Sequence, residues 1–170
     1  MLLSELITKE LIKTDLKSKD KWSIIEELAQ LFVDAGYVED KNEFVNALRR
    51  REEIESTAIG DGIAIPHARS EAVKELHVAF GRAKDGVNFD ALDKKPVHLI
   101  FMIAAPQNVR KEYLQAVAKV ARLLKSQVMK KALLNANTVD EVMRIIMDFD
   151  GVAPEQVKIK TKEGRVVYGG

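Results

Sequence analysis

The chain has 170 residues, of which 46% are hydrophobic and 31% charged, with a formal net charge of +1 and no cysteine. This composition excludes a mostly disordered chain, a disulfide framework and thiolate metal sites, and it provides no strong field that would attract nucleic acid or anionic lipid. The length suits one α/β domain. Because the sequence shows neither a signal-peptide pattern nor an apolar run of membrane-spanning length, we expect a cytoplasmic protein without membrane insertion.

Two amphipathic helices are predicted in the first third of the chain. Ser18 is a plausible N-cap for the first, Gly36 marks its end, and its inward positions are Ile24, Ile25, Leu28, Leu31 and Phe32. The second helix buries Phe44, Val45 and Leu48 and carries Arg49, Arg50 and Arg51 at its carboxyl end. Cations at that end complement the helix dipole, which is the plain structural explanation for the three arginines.

The middle of the chain predicts strands. Residues 76–83 alternate, Asp85-Gly86 has the composition of a hairpin turn, and residues 97–104 form a continuous apolar run typical of a central strand. After Pro106 a long helix is predicted with Leu114, Val117, Ala118, Ala121 and Leu124 on its buried face. A shorter helix over 128–134 follows, and Thr138 with Glu141 forms a capping box for the last helix.

These elements predict an α/β fold: a single layered domain in which helices cover both faces of a mixed β-sheet. Past Gly151 the pattern changes, because residues 157–161 and 165–168 alternate around Lys162-Glu163-Gly164. We therefore expect a domain over residues 1–150 and a C-terminal extension over 151–170 that forms a β-hairpin. That hairpin is either a solvated appendage or a strand pair that adds to the sheet edge of a partner.

The most informative segment is Gly60-Asp61-Gly62-Ile63-Ala64-Ile65-Pro66-His67. Ile63 and Ile65 predict the inward face of a short strand, Pro66 marks its end, and His67 lies just beyond it. Imidazole has an ordinary pKa of about 6.5, so a large neutral and nucleophilic fraction exists near neutral pH. We expect His67 to be a nucleophile rather than a structural histidine.

The run from Arg51 to Ala68 resembles the active-site segment of fructose/mannitol-type IIA components of the bacterial sugar phosphotransferase system, a group that includes nitrogen-regulatory IIA proteins. The shared pattern is Arg-Glu followed by Thr-x-x-Gly-x-Gly-Ile-Ala-x-Pro-His, read here from Thr57 to His67. The resemblance extends over residues 1–148 and implies the same α/β architecture.

The resemblance implies that His67 accepts a phosphoryl group from phosphorylated HPr, holds it as phosphohistidine and passes it to a IIB component. Arg51 matches the arginine near the family's active site, and its guanidinium suits phosphoryl oxygens. Thr57, Gly60 and Gly62 are supporting candidates, with local turn geometry as the alternative for each. The reaction requires no metal and no cofactor.

One departure concerns the role of the protein. Many transport-type relatives have a second histidine, close to the phosphorylated one, where this chain has Tyr113. A phenol with an ordinary pKa of about 10 does not titrate near neutral pH. The alternative is therefore a nitrogen-regulatory-type IIA protein whose phosphorylation state controls binding to regulatory targets. We interpret His77 and His98 as exposed or edge strand residues, and a zinc site that they form with His67 is the weaker alternative.

Overall fold

The computed structural model describes residues 1–152 together with the backbone of two short segments, 157–160 and 166–169. Its described helices are α1 (Leu3–Leu6), α2 (Lys21–Asp34), α3 (Lys41–Ile54), α4 (Arg110–Lys125), α5 (Gln127–Asn135) and α6 (Val139–Asp150), with a 3-10 turn at Lys9–Leu11. Its described strands are β1 (Ile12–Lys13), β2 (Ile63–Ala64), β3 (His67–Arg69), β4 (His77–Val87), β5 (Val97–Ala105), β6 (Val157–Lys160) and β7 (Val166–Gly169).

Strand β5 is the centre of the main sheet. It pairs antiparallel with β4 on one side and parallel with both β2 and β3 on the other, while β1 pairs parallel with β4. The continuous apolar run that predicted a central strand is explained by this position, since β5 is covered on both faces. The sheet is therefore mixed, as the sequence predicted.

Helices pack on both faces of the sheet and divide the core into two layers. Along β5, Ile100, Met102 and Ala104 pack with α2 and α3, whereas Leu99, Phe101 and Ile103 pack with α4, α5 and α6. This alternation follows from the two-residue period of a strand. The predicted fold, a mixed sheet covered by helices on both faces, is confirmed.

The helix starts show where local sequence signals compete. Asp20 rather than Ser18 is the N-cap of α2, and its carboxylate accepts the Ser23 N–H at 3.0 Å. The N–H of Ser18 instead donates to the Glu27 carboxylate at 2.9 Å, which explains why the predicted cap at Ser18 is wrong. Thr138 does cap α6, since its hydroxyl accepts the Glu141 N–H at 3.1 Å.

The predicted hairpin turn at Asp85-Gly86 is wrong. Strand β4 continues to Val87, and its register with β5 shifts between Arg82 and Val87, as at a β-bulge. Gly86 has φ +82°, and a Cβ at this position would lie 2.9 Å from the Pro96 side chain. The glycine thus permits a close approach inside the sheet, and the chain reverses later, between β4 and β5.

The buried face of α4 is shifted by one position along the chain from the predicted face. Tyr113, Ala116, Val120, Leu123 and Leu124 are buried, whereas Leu114 is 52% exposed. The helix is therefore rotated about its axis so that Tyr113 faces the sheet.

In the tail, β6 and β7 pair antiparallel with Val157 opposite Gly169. Residues 153–156, 161–165 and 170 lie outside the described part of the chain. The hairpin extension and the domain boundary near residue 150 stay predictions.

Candidate functional site

His67 is the first residue of β3. Its backbone pairs with Ile103 of β5, whose N–H donates to the Pro66 carbonyl at 3.0 Å. His67 thus follows the end of β2 at Ala64, as expected, and it also begins a further short strand. Pro66 has no N–H to donate, but its carbonyl still accepts, so pairing along β5 is interrupted and then resumes. Ala68 faces the layer of α2 and α3, and His67 and Arg69 therefore point to the opposite face, toward α4.

The imidazole of His67 is fixed by one backbone group. Its Nδ1 lies 2.7 Å from the carbonyl oxygen of Ile65. A carbonyl can only accept a hydrogen bond, so the neutral ring carries its proton on Nδ1 and leaves the lone pair on Nε2. Ile65 is itself held, since its N–H donates to the Thr57 carbonyl at 3.3 Å.

The electrostatic surroundings favour the neutral imidazole. Burial lowers the pKa of His67 below its ordinary value, and the positive charge of Arg51 adds to this, while the Ile65 carbonyl and the Glu52 carboxylate act in the opposite direction. A neutral ring with a free Nε2 lone pair is the nucleophilic form of histidine.

Arg51 lies in the last turn of α3, as predicted. Its Nη1 donates to the Glu55 carbonyl at 2.8 Å, and its charge acts on both His67 and Tyr113. The Arg51 charge thus acts on His67, while its bond to Glu55 is the helix-end contact of the structural alternative. Arg50 is exposed, whereas the Arg49 guanidinium lies 4.8 Å from the centre of the Trp22 ring.

Tyr113 lies beside the imidazole, where the sequence comparison with transport-type relatives placed it. The two ring centres are 5.7 Å apart, with an interplanar angle of 54°. Burial raises the pKa of Tyr113 to about 12, so the side chain stays a neutral phenol at physiological pH.

Arg69 is a site residue that the sequence reasoning missed. Its guanidinium lies 5.7 Å from the centre of the Tyr113 ring and donates to the Gln107 carbonyl at 3.1 Å. The signal was present, because residues two apart in a strand share a face and His67 was expected at a strand. Two guanidinium groups therefore adjoin the imidazole region.

The Thr57 side chain binds the Glu52 carboxylate. Its hydroxyl donates to the buried Glu52 carboxylate, which also accepts the Thr57 N–H at 3.2 Å. A hydroxyl has only one proton, so this bond competes with donation to a phosphoryl oxygen. Any role of Thr57 at phosphate stays a prediction.

The two glycines flank a strained turn. Gly60 has φ +137°, Gly62 has φ +75°, and Asp61 between them has φ +58°. The Asp61 N–H donates to the Asp93 carboxylate at 3.1 Å. Because this amide is already occupied by an anion, turn geometry explains the glycines without a bound phosphoryl group, and their supporting role at the phosphoryl group stays a prediction.

The other histidines lie elsewhere. His77 is buried, with Nδ1 3.1 Å from the Leu6 carbonyl and its ring stacked on Tyr37 at 3.8 Å, so its expected exposed position is wrong. His98 is partly exposed, and its Nδ1 lies 3.1 Å from the Ala83 carbonyl. Within the described residues, no three His, Cys, Asp or Glu side chains come together in a way that could hold a metal ion.

The site combines a nucleophilic nitrogen, two guanidinium groups and a neutral phenol. This arrangement suits reaction with an anionic electrophile such as a phosphoryl group, because cations offset the charge on the transferred oxygens. In the part of the chain that the structure describes, no helix has both the length and the apolar composition needed to cross a bilayer.

Among characterised relatives, the chain is 40% identical over 150 residues to the fructose-specific EIIABC component of the phosphotransferase system of Bacillus subtilis. That match covers 88% of this chain but only 24% of the longer relative. The chain is also 36% identical over 146 residues to the fructose-specific EIIA component of Haloferax volcanii, covering 86% of this chain and 95% of the relative.

Solved structures agree with these relatives. The nitrogen regulatory protein IIA-Ntr of Neisseria meningitidis superposes with a TM-score of 0.78 at 31% identity, covering 84% of this chain and 97% of that one. The mannitol enzyme IIA of Escherichia coli in complex with phosphorylated enzyme IIB gives a TM-score of 0.72 at 28% identity, covering 84% and 99%. The family model for EIIA 2 of the phosphoenolpyruvate-dependent sugar phosphotransferase system matches residues 5–148, and the chain therefore belongs to this family of phosphoryl-relaying components.

Proposed function

We propose that the protein is a phosphohistidine carrier. Nε2 of His67 accepts a phosphoryl group from phosphorylated HPr, and the protein then passes this group to a IIB component. The observation that carries this proposal is the 2.7 Å contact between His67 Nδ1 and the Ile65 carbonyl, because it fixes the tautomer with a free Nε2. The family to which the chain belongs and the solved complex of a related IIA protein with a phosphorylated IIB protein support the IIB partner. We place this exchange in the cytoplasm.

The transfer is an exchange between nitrogen atoms. The Nε2 lone pair forms a bond to phosphorus while the bond between phosphorus and the donor imidazole breaks, and the donor ring keeps that electron pair. The proton on Nδ1 stays in its bond to the Ile65 carbonyl, so the phosphorylated ring carries a positive charge that the carbonyl stabilises. In the onward step the leaving group is then a neutral imidazole.

Arg51 and Arg69 have distinct tasks in this mechanism. Neither guanidinium is consumed, and both supply donors and positive charge to the three oxygens of the transferred group. The Arg51 charge also favours the neutral imidazole, since it lowers the pKa of His67.

Apolar side chains near the site suit the docking of a partner protein. Ile54 at the end of α3 is 81% exposed, Ile59 in the glycine loop is 65% exposed, and Leu114 beside Tyr113 is 52% exposed. Leu92, 61% exposed, is tied to the same loop because its N–H donates to the Ala58 carbonyl at 3.1 Å. Exposed apolar surface beside a site is typical of protein interfaces.

Tyr113 favours a regulatory protein as the second candidate. A phenol with a pKa of about 12 cannot exchange a proton with His67 near neutral pH. A nitrogen-regulatory-type protein, in which the phosphorylation state of His67 controls binding to a regulatory target, does not need rapid onward transfer. The similarity to the Neisseria IIA-Ntr structure is consistent with this alternative.

The test uses enzyme I, HPr and labelled phosphoenolpyruvate. We expect an acid-labile, base-stable phosphoprotein, and His67→Gln should abolish labelling while the matched control His98→Gln retains it. Labelling that persists in His67→Gln would place the site elsewhere and refute the proposal. Addition of IIB then separates the candidates, because a carrier loses its label rapidly and a regulatory switch retains it.

A further inference from the structure

A buried ion pair lies behind the His67 loop. The Glu52 side chain is fully inaccessible, and its Oε2 lies 3.0 Å from the Lys21 ammonium, whose side chain is 8% exposed. The same carboxylate accepts both the hydroxyl and the N–H of Thr57. Both carboxylate oxygens are therefore occupied by groups of the protein, as a buried charge requires.

Lys21 occupies a costly position. It is the first residue of α2, where the helix dipole disfavours a cation, and burial removes most of its hydration. The ammonium lies 5.3 Å from the centre of the Phe89 ring and 3.6 Å from the Asp90 carboxylate, which is 74% exposed. Glu52 is thus the principal counter-charge of Lys21.

A continuous set of hydrogen bonds joins this pair to the nucleophile. Glu52 holds Thr57, the Thr57 carbonyl accepts the Ile65 N–H at 3.3 Å, and the Ile65 carbonyl lies 2.7 Å from His67 Nδ1. The loop of residues 57–67 is therefore bound to the ion pair through Thr57, its first residue, and it ends at His67, whose ring is bound to the Ile65 carbonyl. Displacement of Thr57 would move the Ile65 carbonyl, which fixes the tautomer of His67.

We infer that Glu52 and Lys21 are positioning residues, which act through Thr57 and Ile65 to hold His67 with its proton on Nδ1 and its lone pair on Nε2. The inference rests on the proposed phosphoryl transfer at His67. Neither residue touches the reacting atoms. Lys21 supplies the counter-charge for Glu52, whose carboxylate accepts two bonds from Thr57.

The test compares Thr57→Val, which keeps the size and the backbone but removes the hydroxyl, with Thr57→Ser, which keeps the hydroxyl. The first measurement is the ¹⁵N NMR spectrum of histidine-labelled protein at a pH where the ring is neutral, which reports the fraction of each His67 tautomer. The second is the rate of labelling by phosphorylated HPr. A small displacement of a reacting group costs about tenfold to a hundredfold in rate.

We expect Thr57→Val to show both tautomers and a labelling rate reduced about tenfold to a hundredfold, and Thr57→Ser to match the wild type in both measurements. A single Nδ1–H tautomer and an unchanged rate in Thr57→Val would overturn the inference. A wild-type protein that is not labelled at all would instead refute the proposed function, while the tautomer measurement still tests the positioning.

If Thr57→Val does not fold, the double variant Lys21→Met/Glu52→Gln replaces it. This variant removes both buried charges together and leaves neither unpaired. The same two outcomes apply, since loss of the single tautomer supports the inference and an unchanged tautomer with an unchanged rate contradicts it.

Discussion

Substitution of Glu52 by glutamine should strongly destabilise the protein. The change leaves the Lys21 side chain, which is 8% exposed, with the Asp90 carboxylate as its remaining ion-pair partner among the described residues, at 3.6 Å and 74% exposed. Removal of one partner from a buried ion pair typically costs about 3 to 5 kcal/mol, whereas an exposed partner such as Asp90 recovers at most about 1 kcal/mol. Since 1 kcal/mol shifts the Tm of a domain of this size by about 2 to 4 °C, we expect a decrease on the order of 10 °C.

A double-mutant cycle provides the assay. Urea unfolding is measured for the wild type, Glu52→Gln, Lys21→Met and the double variant, with Glu53→Gln, an exposed neighbour on the same helix, as the control. The double variant should be more stable than Glu52→Gln, because it leaves no unpaired charge. Simple additivity of the two single effects, or a Glu52→Gln variant as stable as the control, would refute the reasoning.

The remaining predictions concern the site. Because burial lowers the pKa of His67 below about 6.5, the labelling rate should stay constant as the pH falls through that value and decrease only at lower pH. The stability that neutral His67 contributes above about pH 6.5 is lost as the pH falls through the folded-state pKa. Urea unfolding should therefore show that the free energy of unfolding decreases more at acid pH for the wild type than for His67→Gln. Equal decreases in the two proteins would contradict this. Arg51→Lys keeps the charge but loses the planar fork, and we expect labelling about tenfold to a hundredfold slower, whereas the exposed control Arg50→Lys should match the wild type. Tyr113→His introduces a titratable ring beside His67 and should speed the loss of label to IIB by up to about a hundredfold; an unchanged rate would show that Tyr113 does not limit transfer.

Much of the fold and the position of His67 in it were predictable because local sequence patterns determine them. The apolar run of β5 predicted a central strand, and the two-residue alternation of Ile63 and Ile65 predicted a buried strand leading to His67. The position of Tyr113 relative to His67 was also predicted from the pattern of related sequences, and the ring distance of 5.7 Å agrees with it.

Features that depend on distant contacts were not predictable. Leu114 and Tyr113 are both apolar enough to be buried, and packing against the sheet decided the rotation of α4 in favour of Tyr113. The Ser18 N–H donates to the distant Glu27 carboxylate, and α2 begins after Asp20 instead of Ser18. The segment Asp85-Gly86 lies in a β-bulge instead of the expected turn, and Gly86 closely approaches Pro96 there.

The ion pair behind the site shows the same limit. Lys21 and Glu52 lie 31 positions apart in the chain, and each is a charged residue of the kind expected on the exposed face of its helix. Only the packing of α2 against α3 brings them together, and burial of a charge has no local signature in the sequence.

The most direct test of the mechanism is an NMR spectrum that correlates phosphorus with ¹⁵N-labelled histidine after incubation with phosphorylated HPr. We predict that phosphorus is coupled to Nε2 of His67 while Nδ1 still carries its proton. Coupling to Nδ1 of His67, or phosphorus on any other residue, would contradict the mechanism.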